Sequence, residues 1–325
     1  MNIDTNFQSK KFSIYNANDI GINFKNLIID IQNYKTLDKV LIWSTMESDL
    51  PGGNEKYDFD SLNRLCETHK IVVNIVFGIP YQGYYNKINS YDNLKLHFWP
   101  TYLLHYTYNK FDNYYGVNIE QLKKNRNFKK LFLSYNNKPH LHRCKLIDRL
   151  YEFNLFEYGE ISWNLLNDVN YQFKHWEEQV IKIDDFNSFS FHRSNHIIDN
   201  TSFLFLVTES CDNLAFITEK TFKPILIEQP FICLGGRLQN IILKELGFEL
   251  YDELFDYSFD YLDDINHRVD GIISNLNRIK NDNYYELYKK IETKIKHNKE
   301  RAVSIVKNRL YIPNIITENN ISFEL

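Results

Sequence analysis

The sequence lacks the segments that mark secreted and membrane-spanning proteins. No apolar run approaches the 18 or so residues of a transmembrane helix, and residues 1–13 are polar, without the apolar core of a signal peptide. Cysteine is scarce and no Cys-x-x-Cys pair occurs; the 4 cysteines are Cys66, Cys144, Cys211 and Cys233. This spread favours reduced thiols over a disulfide framework or a zinc site. The sequence therefore predicts a cytoplasmic protein without a membrane span.

Alanine is also scarce, with 3 residues against 39 Asn, 23 Tyr and 24 Phe. The abundant types share A/T-rich codons, so we interpret the bias as that of an A/T-rich bacterial, phage or viral genome. An excess of positive charge is missing too, since 38 Lys and Arg face 42 Asp and Glu for a net charge of -4. This balance argues against a general nucleic-acid-binding protein but allows a local basic site for a phosphorylated ligand.

Short apolar runs alternate with turn-rich and helical segments throughout the 325 residues, a length that suggests about two domains. The predicted strands are Lys39–Trp43, Ile71–Phe77, Leu94–Phe98, Lys130–Ser134, Gly159–Trp163, Phe203–Val207 and Pro230–Leu234. The predicted helices are Phe59–Thr68, Leu141–Phe153, Thr218–Glu228 and Arg237–Leu246, with a helix-rich tail over Tyr261–Asn308. The basic stretch Val117–Lys130 is the predicted linker. The pattern indicates an α/β fold with two Rossmann-like domains, residues 1–125 and 126–325.

The strongest candidate for a binding site follows the apolar run that ends at Val207. This strand delivers Glu209 to its tip, and a loop then leads to Thr218, which is typical of a helix N-cap. Glu219 and Lys220 would occupy the first helical turn. Because the helix dipole disfavours a lysine there, an anionic ligand would explain Lys220. An ordinary capped helix with Lys220 in solvent is an equally good interpretation from these residues alone.

The same residues resemble the donor-site motif of the α1,3/4-fucosyltransferases, glycosyltransferase family 10. In that motif an apolar strand ends in Phe-Glu-Asn, and a loop leads to an aromatic residue, Ile/Val-Thr-Glu-Lys and a helix. Glu209 and the run Ile217-Thr218-Glu219-Lys220 are in register with the motif, and Phe216 takes the aromatic position. Ser210 stands where the family has Asn. The resemblance covers about 35 residues.

A second segment is similar to the same family. The strand ending at Ser134 is followed by an Asn-rich loop and by Arg143 at a helix start, where the family has an arginine that binds the nucleotide diphosphate. A guanidinium suits phosphate because its forked donors pair with two oxygens. The alternative is an arginine on a solvated helix face. His140 and His142 are interpreted as polar loop residues rather than a metal pair, with His142 a further phosphate neighbour.

The resemblance implies a GT-B fold, in which two Rossmann-like domains face each other across a cleft. It also implies an inverting transferase that moves fucose from GDP-fucose to a glycan acceptor, with no built-in metal. Lys220 and Arg143 would neutralise the diphosphate, Glu219 would bind the ribose or the transferred sugar, and Glu209 would position the loop or the sugar. The implied donor-binding residues are Arg143, Glu209, Ser210, Phe216, Thr218, Glu219 and Lys220.

An inverting transferase needs a carboxylate base for the acceptor hydroxyl. Glu47, which follows the predicted strand Lys39–Trp43, is the nearest equivalent of the family's base, and Asp49 and Glu55 are alternatives. Each of them is equally well a solvated loop acid. A non-catalytic nucleotide-sugar or glycan-binding module, and a transferase with another nucleotide sugar, remain alternative functions. The Asp pairs at residues 184–185 and 263–264 lack the Asp-x-Asp form of metal-dependent transferases and are interpreted as solvated or helix-start residues.

Overall fold

The computed structural model describes residues 2–3, 13–16, 39–43, 59–77, 90–99, 113–114, 117–164, 171–181, 183, 200–213, 215–308, 310–312, 314, 318 and 323–324. The chain divides into two compact units. Unit 1 comprises Met1–His105 and Asn308–Leu325, and unit 2 comprises Tyr106–Lys307. The division therefore falls at residues 105/106, whereas the sequence predicts it at 125/126.

Unit 1 contains a four-stranded parallel sheet in the order β2-β3-β4-β5. These strands are Ser13–Asn16, Lys39–Trp43, Val72–Phe77 and Leu94–Phe98, so the three predicted strands are confirmed and β2 is additional. Helix α1, Phe59–His69, lies between β3 and β4 in sequence and buries Leu62 and Cys66. The chain ends meet in this unit, because β1 (Asn2–Ile3) pairs antiparallel with β12 (Phe323–Glu324).

The predicted linker over Val117–Lys130 is wrong. A short antiparallel pair joins β6 (Asn113–Tyr114) to β7 (Val117–Asn118), and helix α2 follows directly at Ile119–Lys124. Helix α2 forms in spite of its polar sequence because Ile119 and Leu122, three residues apart, share one buried face. The segment is therefore part of unit 2.

Unit 2 is built on a second four-stranded parallel sheet, in the order β11-β10-β8-β9. Its strands are β8 (Lys130–Asn136), β9 (Gly159–Trp163), β10 (Ser202–Thr208) and β11 (Phe231–Leu234). All seven residues of β10 are buried, as expected for a central parallel strand covered on both faces. The four predicted strands of this half are confirmed within one or two residues at each end.

The strand order of unit 2 reverses between β8 and β10. The chain passes from β8 through α3 (Leu141–Glu152) to β9 on one side, and from β10 through α4 (Glu219–Leu226) to β11 on the other. Open parallel sheets bind ligands at such a reversal, which is called the switch point, outside the carboxyl ends of the two strands. The topology thus marks the carboxyl ends of β8 and β10 as the place to look for chemistry.

Three more α-helices lie in the described part of unit 2: α5 (Gln239–Glu245), α6 (Ile265–Ile279) and α7 (Tyr284–Lys307). Helix α3 packs against α6, and α4 packs against α7. Asp264 is the N-cap of α6, where its carboxylate accepts a hydrogen bond from the Asn266 N–H at 2.8 Å, so the helix-start interpretation is confirmed. Among the described residues, no helix combines the length and apolar character needed to cross a membrane. The α/β class is confirmed, while the GT-B arrangement stays a prediction.

Candidate functional site

The carboxyl ends of β8 and β10 are joined by polar side chains. Thr208 Oγ1, at the end of β10, donates a hydrogen bond to Asn136 Oδ1, at the end of β8, at 3.0 Å, and both residues are buried. Asn136 is also bonded to β9, because its main-chain N–H donates to Ser162 Oγ at 3.1 Å. Three strands are therefore held in register at the edge from which the loops to α3 and α4 begin.

Glu209 is fully buried and holds the loop that connects β10 to α4. Its carboxylate accepts hydrogen bonds from the Thr218 N–H at 3.0 Å, from Thr218 Oγ1 at 2.7 Å and from Thr221 Oγ1 at 2.7 Å. All three donors lie at the start of α4, so the carboxylate clamps the helix N-terminus to the end of the strand. Of the two predicted roles of Glu209, these contacts favour positioning the loop.

Lys220 lies in the first turn of α4, as predicted, and Thr218 is the N-cap, accepting a bond from the Lys220 N–H at 3.3 Å. The Lys220 Nζ atom donates to Glu219 Oε1 at 3.0 Å, to Thr218 Oγ1 at 3.2 Å and to Ser210 Oγ at 3.3 Å. Its side chain is 16% exposed, and the carboxylate of Glu209 is 4.0 Å away. The solvated-lysine interpretation is therefore wrong, because the ammonium is held among oxygens at the helix start.

Phe216, the predicted aromatic of the loop, is buried, and one amide side chain bonds both its N–H and its carbonyl. The Phe216 N–H donates to Gln239 Oε1 at 2.8 Å, and Gln239 Nε2 donates back to the Phe216 carbonyl at 3.0 Å. Gly235 allows this, since a Cβ there would lie 3.0 Å from Gln239 Oε1. Sequence reasoning missed Gln239, because nothing local to it indicates that its amide meets a backbone group 23 residues away.

Arg143 lies in the first turn of α3 and is 3% exposed, so the alternative of a solvated helix-face arginine is wrong. Its NH2 donates to the carbonyls of Thr208 at 2.8 Å and Glu209 at 3.1 Å, and its NH1 donates to the Lys138 carbonyl at 3.0 Å. The guanidinium thus ties the end of β10 to the loop after β8. Phosphate binding by Arg143 stays a prediction.

A histidine and a second buried arginine hold the same loop. His142 Nε2 donates to the Glu209 carbonyl at 2.8 Å, and His142 Nδ1 lies 3.7 Å from Asp212 Oδ2. This imidazole lowers the pKa of Asp212 below its usual value, against the effect of partial burial. Arg268 of α6 donates to the Asp212 carbonyl at 2.6 Å, and burial lowers the pKa of this guanidinium. Sequence reasoning missed Arg268, because nothing local to it distinguishes it from a surface arginine.

His140 lies beside this cluster, at the N-cap of α3. Its ring stacks on that of His142 with centroids 5.9 Å apart and an interplanar angle of 4°. Burial lowers the pKa of His140 to about 4, with further electrostatic lowering by Arg143, His142 and Lys138 and a small opposing effect of Asp212. His140 is therefore neutral at pH 7.

The candidate bases Glu47, Asp49 and Glu55 lie outside the described residues, as does the Asp pair 184–185. Within the part of unit 1 and unit 2 that the structure describes, no three His, Cys, Asp or Glu side chains are grouped to hold a metal ion. The residues brought together at the switch point are thus those of the predicted donor site: Arg143, Glu209, Ser210, Phe216, Thr218, Glu219 and Lys220.

Comparison with protein-family models, with curated proteins and with solved structures finds no match for this chain. The likeness to family 10 therefore depends on the motif residues alone.

Proposed function

We propose that unit 2 binds a nucleotide-diphosphate sugar at the carboxyl ends of β8 and β10, and that the protein is an inverting glycosyltransferase. The observation that carries the proposal is Lys220, whose ammonium is partly buried at the N-terminus of α4, beside the point where the strand order reverses. A diphosphate placed there gains an ammonium and the positive end of the helix dipole. GDP-fucose is the donor that the family resemblance implies.

The remaining residues take roles that follow from their contacts. Glu219, whose Oε1 accepts a bond from Lys220 at 3.0 Å, would accept hydrogen bonds from hydroxyls of the ribose or of the transferred sugar. Glu209, Thr218 and Phe216 would keep the loop in a binding-competent shape through their buried bonds. When the glycosidic bond to the donor breaks, negative charge develops on the leaving diphosphate, and Lys220 would stabilise it. The acceptor would be a glycan, and its base one of Glu47, Asp49 and Glu55.

Ligand-induced stabilisation tests the donor. The protein is heated with GDP, UDP, CMP, ADP and their common sugar conjugates, and a ligand at 100 times its Kd stabilises by about 2.7 kcal/mol, which raises Tm visibly. We expect a selective rise with GDP and GDP-fucose. A selective rise with UDP or CMP would keep the transferase and replace fucose with another sugar. The absence of a rise with every nucleotide would overturn the proposal.

Variants test the assigned residues. Lys220→Met keeps the aliphatic stem and removes the charge, so we expect donor binding to weaken by about 1.5–3 kcal/mol, the range of a charge-assisted hydrogen bond. Lys244→Met, at an exposed lysine of α5, is the matched control and should leave the Kd unchanged. Among Glu47→Gln, Asp49→Asn and Glu55→Gln, one variant should abolish sugar transfer and retain donor binding. If none does, the protein binds the donor without catalysing transfer through these acids.

A further inference from the structure

The group at the switch point that the proposed function leaves without a role is His140. It is the residue before α3, half-buried, and its side chain makes no capping hydrogen bond to the helix. Its main-chain N–H donates to the Lys138 carbonyl at 2.9 Å, which closes a tight turn in the loop after β8. Within the described residues, neither nitrogen of its ring has a hydrogen-bond partner.

Basic residues adjoin His140 in the chain: Lys138 lies in the loop after β8, and His142 and Arg143 lie in the first turn of α3. The Arg143 guanidinium donates to the same Lys138 carbonyl as the His140 N–H, at 3.0 Å and 2.9 Å. Asp212, from the loop after β10, is the acidic group near it, and this carboxylate is already engaged by His142. In the absence of a ligand, His140 is thus an uncharged ring with both nitrogens available in a positive field.

An anion bound beside His140 shifts the protonation equilibrium of its imidazole. Each negative charge within about 4–6 Å raises the pKa of a neighbouring basic group by about 1–3 pH units, and a diphosphate brings at least two such charges. We propose that His140 is a ligand of a phosphate or diphosphate group at the switch point, and that it takes up one proton from solvent when the anion binds. The neutral imidazole becomes an imidazolium that donates a hydrogen bond to a phosphate oxygen.

This inference rests on the proposed donor site and adds to it one residue, His140, and a coupling between proton uptake and anion binding. Because the bound state carries one proton more than the free state, anion affinity rises as pH falls toward the pKa of the free histidine, about 4. In a transfer reaction, the added positive charge would help to hold the departing diphosphate. A rise in pH would favour release of the product.

Inorganic pyrophosphate is the probe, since it isolates the anion from the base and the sugar. The His140 ring is titrated by NMR with and without saturating pyrophosphate, and its signal is assigned by its loss in His140→Gln. We expect the pKa of His140 to rise by about two pH units or more on binding. Isothermal titration calorimetry is run at pH 5, between the pKa of free His140, about 4, and the expected pKa in the complex, about 6. In two buffers of different ionisation enthalpy, the wild type should then take up close to one more proton per ligand than His140→Gln. Protonation changes of pyrophosphate itself are the same in both proteins.

The outcomes separate this inference from the proposed function. If pyrophosphate binds with His140-dependent proton uptake but GDP-fucose and other nucleotide sugars do not bind, the anion site stands and the donor assignment fails. If GDP-fucose binds but the titration of His140 is unchanged and His140→Gln retains the same Kd and proton count, the inference fails and the donor site stands. Absence of pyrophosphate binding at millimolar concentration also overturns the inference.

Discussion

Removal of the Glu209 carboxylate tests how the loop between β10 and α4 is held. The carboxylate is fully buried and accepts bonds from three donors: the Thr218 N–H, Thr218 Oγ1 and Thr221 Oγ1. Glu209→Ala leaves these donors buried without their acceptor, at a cost of about 1–3 kcal/mol each, or roughly 3–9 kcal/mol together. Since a domain is stable by about 5–15 kcal/mol in total, we expect a large decrease in the free energy of unfolding.

Urea denaturation measures this decrease, and hydrogen–deuterium exchange localises it. In Glu209→Ala, the peptide 215–222 should lose protection, because it contains the three donors. Glu209→Gln keeps the shape and one acceptor oxygen, so its loss should be smaller, about 1–3 kcal/mol. Glu245→Ala, at an exposed residue of α5, is the control and should stay within about 0.5 kcal/mol of the wild type. A loss below about 1 kcal/mol in Glu209→Ala would refute the clamp.

Three further variants test the packing and titration of unit 2. Gly159→Ala places a Cβ against the buried Phe132 ring, closer than van der Waals contact allows, so urea denaturation should show a loss of about 1–3 kcal/mol in the free energy of unfolding. Unchanged stability would contradict this packing. Burial raises the pKa of Asp260 to about 6, above about 3.9 in the unfolded chain, so this group destabilises the fold as pH rises from about 4 to 6. The difference in the free energy of unfolding between the wild type and Asp260→Asn should change by roughly 2–3 kcal/mol over pH 4–7. A difference that does not depend on pH would contradict the raised pKa of Asp260. Burial raises the pKa of Asp148, but bonds from the N–H groups of residues 174–176 outweigh it and lower the pKa overall. The stabilisation by ionised Asp148 is therefore present above about pH 4 and is lost as pH falls further. Hydrogen exchange, corrected for intrinsic rates, should show that residues 174–176 open at low pH in the wild type. In Asp148→Asn these residues should be open at pH 7 as well.

The secondary structure of unit 2 follows closely from local patterns. A central parallel strand is apolar on both faces, so the unbroken run in β10 is recognisable without an alignment. The cap at Thr218 is equally local, because it depends on a hydroxyl just before the first helical turn. Helix α2 escaped prediction because only Ile119 and Leu122 are buried in it, and two apolar residues are too few to show a period.

The partners at the candidate site could not be predicted from the sequence. Gln239 bonds Phe216 across 23 residues, and His142 bonds Glu209 across 67. Local periodicity tells which face of a helix is buried but not which distant backbone group it meets. Arg268 shows the same limit, since its position in α6 is set by capping and apolar spacing while its bond to the Asp212 carbonyl is set by the fold.

Hydrogen–deuterium exchange with and without saturating GDP-fucose can locate the binding of a nucleotide-diphosphate sugar at the carboxyl ends of β8 and β10, because it reports which segments the ligand protects. We expect protection mainly in peptides covering residues 137–143 and 209–220, with less protection in Lys220→Met. Binding that leaves both segments unprotected, or protects only segments elsewhere, would contradict it.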